Sequence, residues 1–300
     1  GDTRKSDAGS EKEKNMNYTN LYNNVQIPLL GIGTFMISPD DTEKSVYEAL
    51  KLGYRLIDTA NAYLNEKEVG NAVRKAVKDE IVTREEVFVS TKLWPALYEN
   101  ENAVAETLDR LGLDYVDLLF IHQPSGNFMA GYKQLENAYK SGKVRSLGIS
   151  NFYGEKLEEL LDKSDIKPHV AQLEVHPYCT QSEVMNTLKK YGTKLMGWYS
   201  LGHGDPGLIK EPVFTKLADK YHKSNAQIVL HWHIQKGFIT IPGSKNPDHI
   251  RDNVDIFDFT LTNDEMVEIA KLDGTKKYYN SDNETEEKYA TMHLPFETVM

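Results

Sequence analysis

From about Pro28 onward, short runs of aliphatic and β-branched residues alternate with stretches whose apolar side chains recur every three or four positions. The runs predict eight strands: Leu29–Thr34, Tyr54–Thr59, Val87–Lys92, Val116–His122, Val144–Ser150, Val170–His176, Lys194–Ser200 and Phe238–Pro242. Most are continuously apolar rather than alternating, as expected of parallel strands covered by helices. Between them, Val69, Ala72, Val73, Ala76 and Val77 follow the spacing of one helical face. Leu157, Leu160 and Leu161 repeat part of that pattern, as do Val184, Leu188 and Tyr191. Gly53, Gly142 and Gly192 stand where the first, fourth and sixth helices should end.

Eight strands alternating with helices leave an open doubly wound sheet or a closed barrel. A dinucleotide-binding open sheet carries G-x-G-x-x-G after its first strand. Gly31-Ile-Gly33 lacks the third glycine, and Gly202-His-Gly204 runs into Asp-Pro. The expected fold is therefore an α/β protein, a single-domain (β/α)₈ TIM barrel with a short N-terminal β-hairpin. Residues 1–17 are polar and nearly charge-balanced and read as a flexible tail, with 18–300 as the barrel unit.

Charge and composition narrow the partners. Lys and Arg number 35 against 45 Asp and Glu, a net charge of −10 that disfavours nucleic acid. No apolar run is long enough to span a membrane. Cys179 is the single cysteine, which rules out an intrachain disulfide and a cysteine zinc site and reads as a small, semi-buried hydrophobe. These features point to a cytoplasmic monomer acting on a small molecule. The chain starts at Gly1 rather than Met, so a removed export signal is the alternative for location.

The chemistry in such a barrel gathers at the C-terminal ends of the strands. Here those ends are polar: Asp58 with Tyr63 five residues on, Lys92, His122, Ser150 with Asn151, then Gln172, Glu174 and His176. Any one of these is commonly a cap or a solvated rim residue. Five polar strand ends on one face require partners or a ligand, because unpaired burial is costly. Two metal readings fail. His231 and His233 lie two apart in a helical stretch and point about 160° away from each other. Glu174 and His176 lack a third ligand. No G-x-S-x-G elbow is present.

The ordered motifs GIGT, LIDTANAY, STKLW, IHQP, GISNF, AQLEVHPY and IPGSKNPDHI resemble the aldo-keto reductases over residues 25–275. The likeness is to prokaryotic-type members such as the diketogluconate and aldehyde reductases. It implies an NADP(H)-dependent oxidoreductase that reduces an aldehyde or ketone, with NAD(H) as the second choice. It also implies a catalytic set of Asp58, Tyr63, Lys92 and His122. In it Tyr63 is the general acid, Lys92 lowers the phenol's pKa, Asp58 fixes Lys92, and a neutral His122 donates to the developing oxyanion. A lowering by about two to three would be worth roughly 3–4 kcal/mol. A regulatory, redox-sensing subunit with slow turnover is the alternative function.

The same resemblance assigns cofactor contacts to Gly33, Thr34, Ser150, Asn151, Gln172, Leu201, Gly202, Ser244 and Asn253. Trp198 is the aromatic that stacks on the nicotinamide, with Tyr199 the runner-up. Phe35 and Trp94 would line the substrate mouth, completed by residues 124–127 and the chain beyond about Lys276. The pattern is broken in two places. Gly243 and His249 replace a Lys and an Arg that many relatives place near the 2′-phosphate, with Lys245 or Arg251 as substitutes. Gln123 stands where many relatives have Trp.

Overall fold

A computed structural model describes residues 17–280 and 282–295. The expected tail, 1–17, lies outside these residues except for Asn17. A hairpin of β1 (Tyr18–Asn20) and β2 (Gln26–Pro28) comes first, pairing Tyr18 with Pro28. Eight parallel strands follow in sequential order: β3 (Ile32–Gly33), β4 (Leu56–Asp58), β5 (Phe88–Leu93), β6 (Leu118–Ile121), β7 (Leu147–Ser150), β8 (Val170–Glu174), β9 (Lys194–Trp198) and β10 (Ile239–Thr240). Each expected strand is present, and all but one of the paired segments are shorter than expected at one end or both, because the chain leaves the ladder as it bends into the loops; β5 instead runs one residue further, to Leu93.

The sheet closes on itself. Leu30 bridges to Thr240 and Gly33 to Gly243. The Gly31 amide donates to the Thr240 carbonyl at 2.9 Å, and the Thr240 amide to the Leu29 carbonyl at 2.8 Å. Glycine is needed at this seam. A Cβ on Gly33 would lie 2.7 Å from the Ile241 carbonyl oxygen, and one on Gly243 would lie 2.8 Å from the Gly33 carbonyl oxygen. The first and last strands approach because neither carries a side chain there.

The helices bury the faces their periodicity marks. In Glu66–Lys78, Val69, Ala72, Val73 and Ala76 are fully buried, while Val77 sits at the edge of that face and is exposed. Helix Pro39–Lys51 starts at Ser38, whose hydroxyl accepts the Asp41 amide, and is followed by Gly53 at φ +103°. Gly142 and Gly192 likewise follow helical turns at positive φ. Helix Asn225–Lys236 is buried almost all round, opened by a reciprocal Ser224–Gln227 cap. No described helix is long and apolar enough to cross a membrane. The last helix, Asn283–Thr291, is tied to the rim. Lys156 bridges its Glu286 to the Pro124 carbonyl, and the Trp94 indole donates to the Met292 carbonyl at 2.9 Å.

Candidate active site

The strand register brings the polar ends together. Asp58 on β4 pairs with Ser90 on β5, and Lys92 lies two residues further along the same face. Lys92 is fully buried, and its ammonium makes three contacts: Asp58 Oδ2 at 2.6 Å, the Thr59 carbonyl at 2.9 Å and Tyr63 Oη at 3.3 Å. The other carboxylate oxygen of Asp58 accepts from Ser90 Oγ at 2.7 Å and from Gln172 Nε2 at 3.4 Å. An ammonium can only donate. Tyr63 Oη is therefore the acceptor of that contact, and its own proton is left to point elsewhere.

Two polar clusters outside the expected site hold the turn that carries Tyr63. Glu66, only 3% exposed, accepts from Asn61 at 3.0 Å, from Thr91 at 2.7 Å and from Arg110 at 3.0 Å. Asn65 accepts from Thr59 Oγ1 at 2.6 Å and donates to the Thr34 carbonyl at 2.9 Å. The turn Asn61–Tyr63 then ends at Leu64 in a left-handed conformation, φ +59°. Sequence reading missed this bracing. The sequence carries little signal for it, because Asn61, Asn65 and Glu66 lie in a stretch rich in polar residues and Thr91 lies between Ser90 and Lys92.

The Lys92–Tyr63 contact meets the geometric expectation, but the phenol's pKa does not follow it. Burial raises it, Lys92 lowers it and Asp58 raises it again, leaving it above the ordinary 10. Desolvation outweighs the neighbouring cation, so the phenol is held protonated. Lys92 itself stands above the usual lysine value. Burial works against its charge, and Asp58 and Tyr63 more than offset that. His122 is pushed well below 6.5 by burial and then by Lys92, so its ring is neutral. Its Nδ1 is enclosed without a partner among the described residues. A neutral ring still carries one N–H, which can serve as a donor.

These groups open onto a cavity of about 690 Å³ at the mouth of the barrel. Its wall includes Gly33, Thr34, Phe35, Asp58, Tyr63, Trp94, His122, Ser150, Asn151, Gln172, Trp198 and Leu201 from the expected set. Gly202, Ser244 and Asn253 are not on the wall, and Lys92 sits behind Tyr63. Residues 124–127 are also off the wall, although Gln123 is on it. The C-terminal stretch does close the cavity, through Tyr279, Tyr289, Met292 and Leu294. Sequence reading placed a segment there without naming its residues.

Trp198 ends β9 with its indole N–H on Asn151 Oδ1 at 3.2 Å. Tyr279 meets that indole edge-on, centroids 5.0 Å apart, and Tyr199 meets it edge-on at 4.2 Å. Tyr199 follows in a left-handed backbone, φ +57°, stacks on His203 and also lines the cavity. Glu174 and His176 are consumed as a structural pair at 2.7 Å. Glu174 also accepts the Tyr278 and Tyr279 amides at 2.8 and 2.7 Å, which anchors the chain that covers Trp198. His231 and His233 bond separate carbonyls, those of Ile256 and Ser200.

The model for the Aldo/keto reductase family matches residues 29–205 and 209–274. Among curated proteins, the glyoxal reductase of Bacillus subtilis is 41% identical over 262 residues, covering 86% of this chain and 93% of its own. The methylglyoxal reductase DkgA of Yersinia pestis is 39% identical over 261 residues, with the same coverage of 86% and 93%. A solved Bombyx mori aldo-keto reductase in complex with NADP superposes with a TM-score of 0.80 at 33% identity, covering 87% of this chain and 94% of that one.

Proposed function

The chain belongs to the aldo/keto reductase family and is an NAD(P)H-dependent oxidoreductase, and on that premise we propose that it reduces a small aldehyde or ketone with Tyr63 as the proton donor. The observation that carries this reading is the fully buried Lys92 ammonium, held between Asp58 at 2.6 Å and Tyr63 Oη at 3.3 Å beside the open cavity. In this reading the substrate carbonyl oxygen takes hydrogen bonds from the Tyr63 hydroxyl and from the N–H of the neutral His122 ring.

The residues present fit a nicotinamide cofactor. Ser150, Asn151 and Gln172 offer a hydroxyl and two amides beside the flat indole of Trp198, matching a carboxamide on an aromatic ring. Gly33 adjoins them on the cavity wall, and a side chain there would collide with the Ile241 carbonyl across the barrel seam. When bound, the nicotinamide supplies hydride to the carbonyl carbon. The phenol of Tyr63, held protonated by burial, gives its proton to the oxygen as negative charge develops there. Lys92 takes up the charge left on the phenolate, Asp58 keeps Lys92 in place, and the neutral His122 donates its N–H to the same substrate oxygen.

NADP(H) is the cofactor we assign, by likeness to the Bombyx protein solved with NADP. Selectivity over NAD(H) is expected to be modest. The two cations available near residue 243 each face a carboxylate: Lys245 lies 4.0 Å from Asp41, and Arg251 pairs with Asp248. A direct test follows NADPH and NADH oxidation at 340 nm with a panel of short aldehydes and ketones. Turnover with NADPH supports the reading. Tight cofactor binding with no turnover across the panel favours a regulatory, redox-sensing role instead. A tenfold preference for NADH reverses the cofactor assignment.

A further inference from the structure

The residue after His122 carries a polar group that the reduction chemistry leaves unused. Gln123 is 6% exposed and lines the cavity, and its side-chain carbonyl has no hydrogen-bond partner among the described residues. Its main chain is fixed on both sides by one hydroxyl. Tyr98 Oη donates to the Gln123 carbonyl at 2.7 Å and accepts the Gln123 amide at 3.1 Å. Tyr98 is itself buried. The amide therefore cannot leave the wall by a swing of the backbone.

An enclosed side-chain oxygen without a partner costs about 1–3 kcal/mol, so a polar group that the Gln123 amide can turn to meet gains by satisfying it. The rest of the wall around the substrate mouth, Phe35, Trp94, Tyr289 and Met292, is aromatic or apolar and offers no competing side-chain amide. Ser150, Asn151 and Gln172 belong to the neighbouring strand ends beside Trp198.

We propose that Gln123 is a specificity-determining residue whose amide hydrogen-bonds a second oxygen on the substrate, a few bonds from the reacting carbonyl. The substrates so favoured are short oxygenated carbonyls: hydroxyketones, hydroxyaldehydes and dicarbonyls. Rotation about the last side-chain bond lets one amide accept from a hydroxyl or donate to a carbonyl. A substrate lacking that oxygen leaves the amide unpaired and is selected against. This inference rests on the reductase reading above.

The test compares kcat/KM for two matched pairs, hydroxyacetone against 2-butanone and 4-hydroxy-2-butanone against 2-pentanone, in wild type, Gln123→Met and Gln123→Asn. The methionine variant keeps length without the amide, and the asparagine variant withdraws the amide by one methylene. Wild type is expected to favour one hydroxyketone over its partner at least tenfold, and that ratio should fall about tenfold or more in both variants. Thermal midpoints and quenching of tryptophan fluorescence by NADPH report folding and cofactor binding. If either variant fails to fold, the other still gives the ratio. An unchanged ratio in a folded variant, or a wild type that reduces the plain ketones with no hydroxyketone preference, overturns the role of Gln123 while the reductase reading stands. A wild type that reduces no carbonyl at all overturns both.

Discussion

Replacing Lys92 by Met keeps most of the side-chain volume and removes the ammonium. Two losses follow, and they are separable. The catalytic loss is the cation 3.3 Å from Tyr63 Oη. At an effective dielectric near 20, that contact is worth about 5 kcal/mol to the phenolate formed in proton transfer. The predicted fall in single-turnover rate is therefore roughly 10³- to 10⁴-fold. The stability loss arises elsewhere. Asp58 is 1% exposed and would lose its 2.6 Å partner, keeping only Ser90 and the longer Gln172 contact. An uncompensated buried carboxylate costs about 3–5 kcal/mol. Adding Asp58→Asn to the Lys92→Met variant should recover most of that stability and none of the rate. Urea unfolding and stopped-flow NADPH oxidation read the two quantities on the same samples. If Lys92→Met reduces carbonyls within tenfold of wild type, or if the double variant regains the rate, the reasoning about Lys92 is wrong.

Acid should destabilise the fold in a definite window. Burial holds His169 at about 4 and His233 at about 3, and pushes His122 and His231 below 6.5. Each binds a proton in the unfolded chain before it does in the folded one. Stability is therefore intact above about pH 6.5 and declines as the pH falls below it, by up to roughly 1.4 kcal/mol per pH unit for each histidine still neutral in the fold, with His169 and His233 carrying the loss down to about pH 4; thermal melts between pH 8 and 4.5 check this, and a flat profile below pH 6.5 contradicts it. At the cofactor's far end, His249→Arg should tighten NADPH about tenfold with little change for NADH, since it adds one charge-assisted contact. Gly243→Lys should cost stability, because its Cβ would sit 2.8 Å from the Gly33 carbonyl oxygen. Fluorescence titrations and melts distinguish the two outcomes.

The barrel was legible because parallel strands buried on both faces read as unbroken apolar runs, and because glycines mark the helix ends. Strand limits were overrun, as at Leu29–Thr34 against a paired Ile32–Gly33. Apolar character continues into loops that no longer pair. Asp58, Lys92 and His122 stood out as polar interruptions of such runs. Three other features were not legible. The direction of the Tyr63 pKa depends on burial, which is a property of the assembled site. The clamp of Tyr98 on Gln123 joins residues 25 apart through a hydroxyl that no pattern marks. Which residues form the roof was the third: the chain beyond about Lys276 was expected to cover the mouth, but Tyr279, Tyr289, Met292 and Leu294 are placed by a segment pinned to Glu174 through backbone amides that carry no side-chain signal.

The proton source is the centre of the account, and Tyr63→Phe interrogates it with the loss of one oxygen. Single-turnover reduction of a good substrate by the NADPH-loaded variant should drop by at least a thousandfold, with NADPH affinity, read from tryptophan fluorescence, within threefold of wild type. A variant that binds NADPH normally and still reduces the carbonyl at a comparable rate would place the proton donor elsewhere.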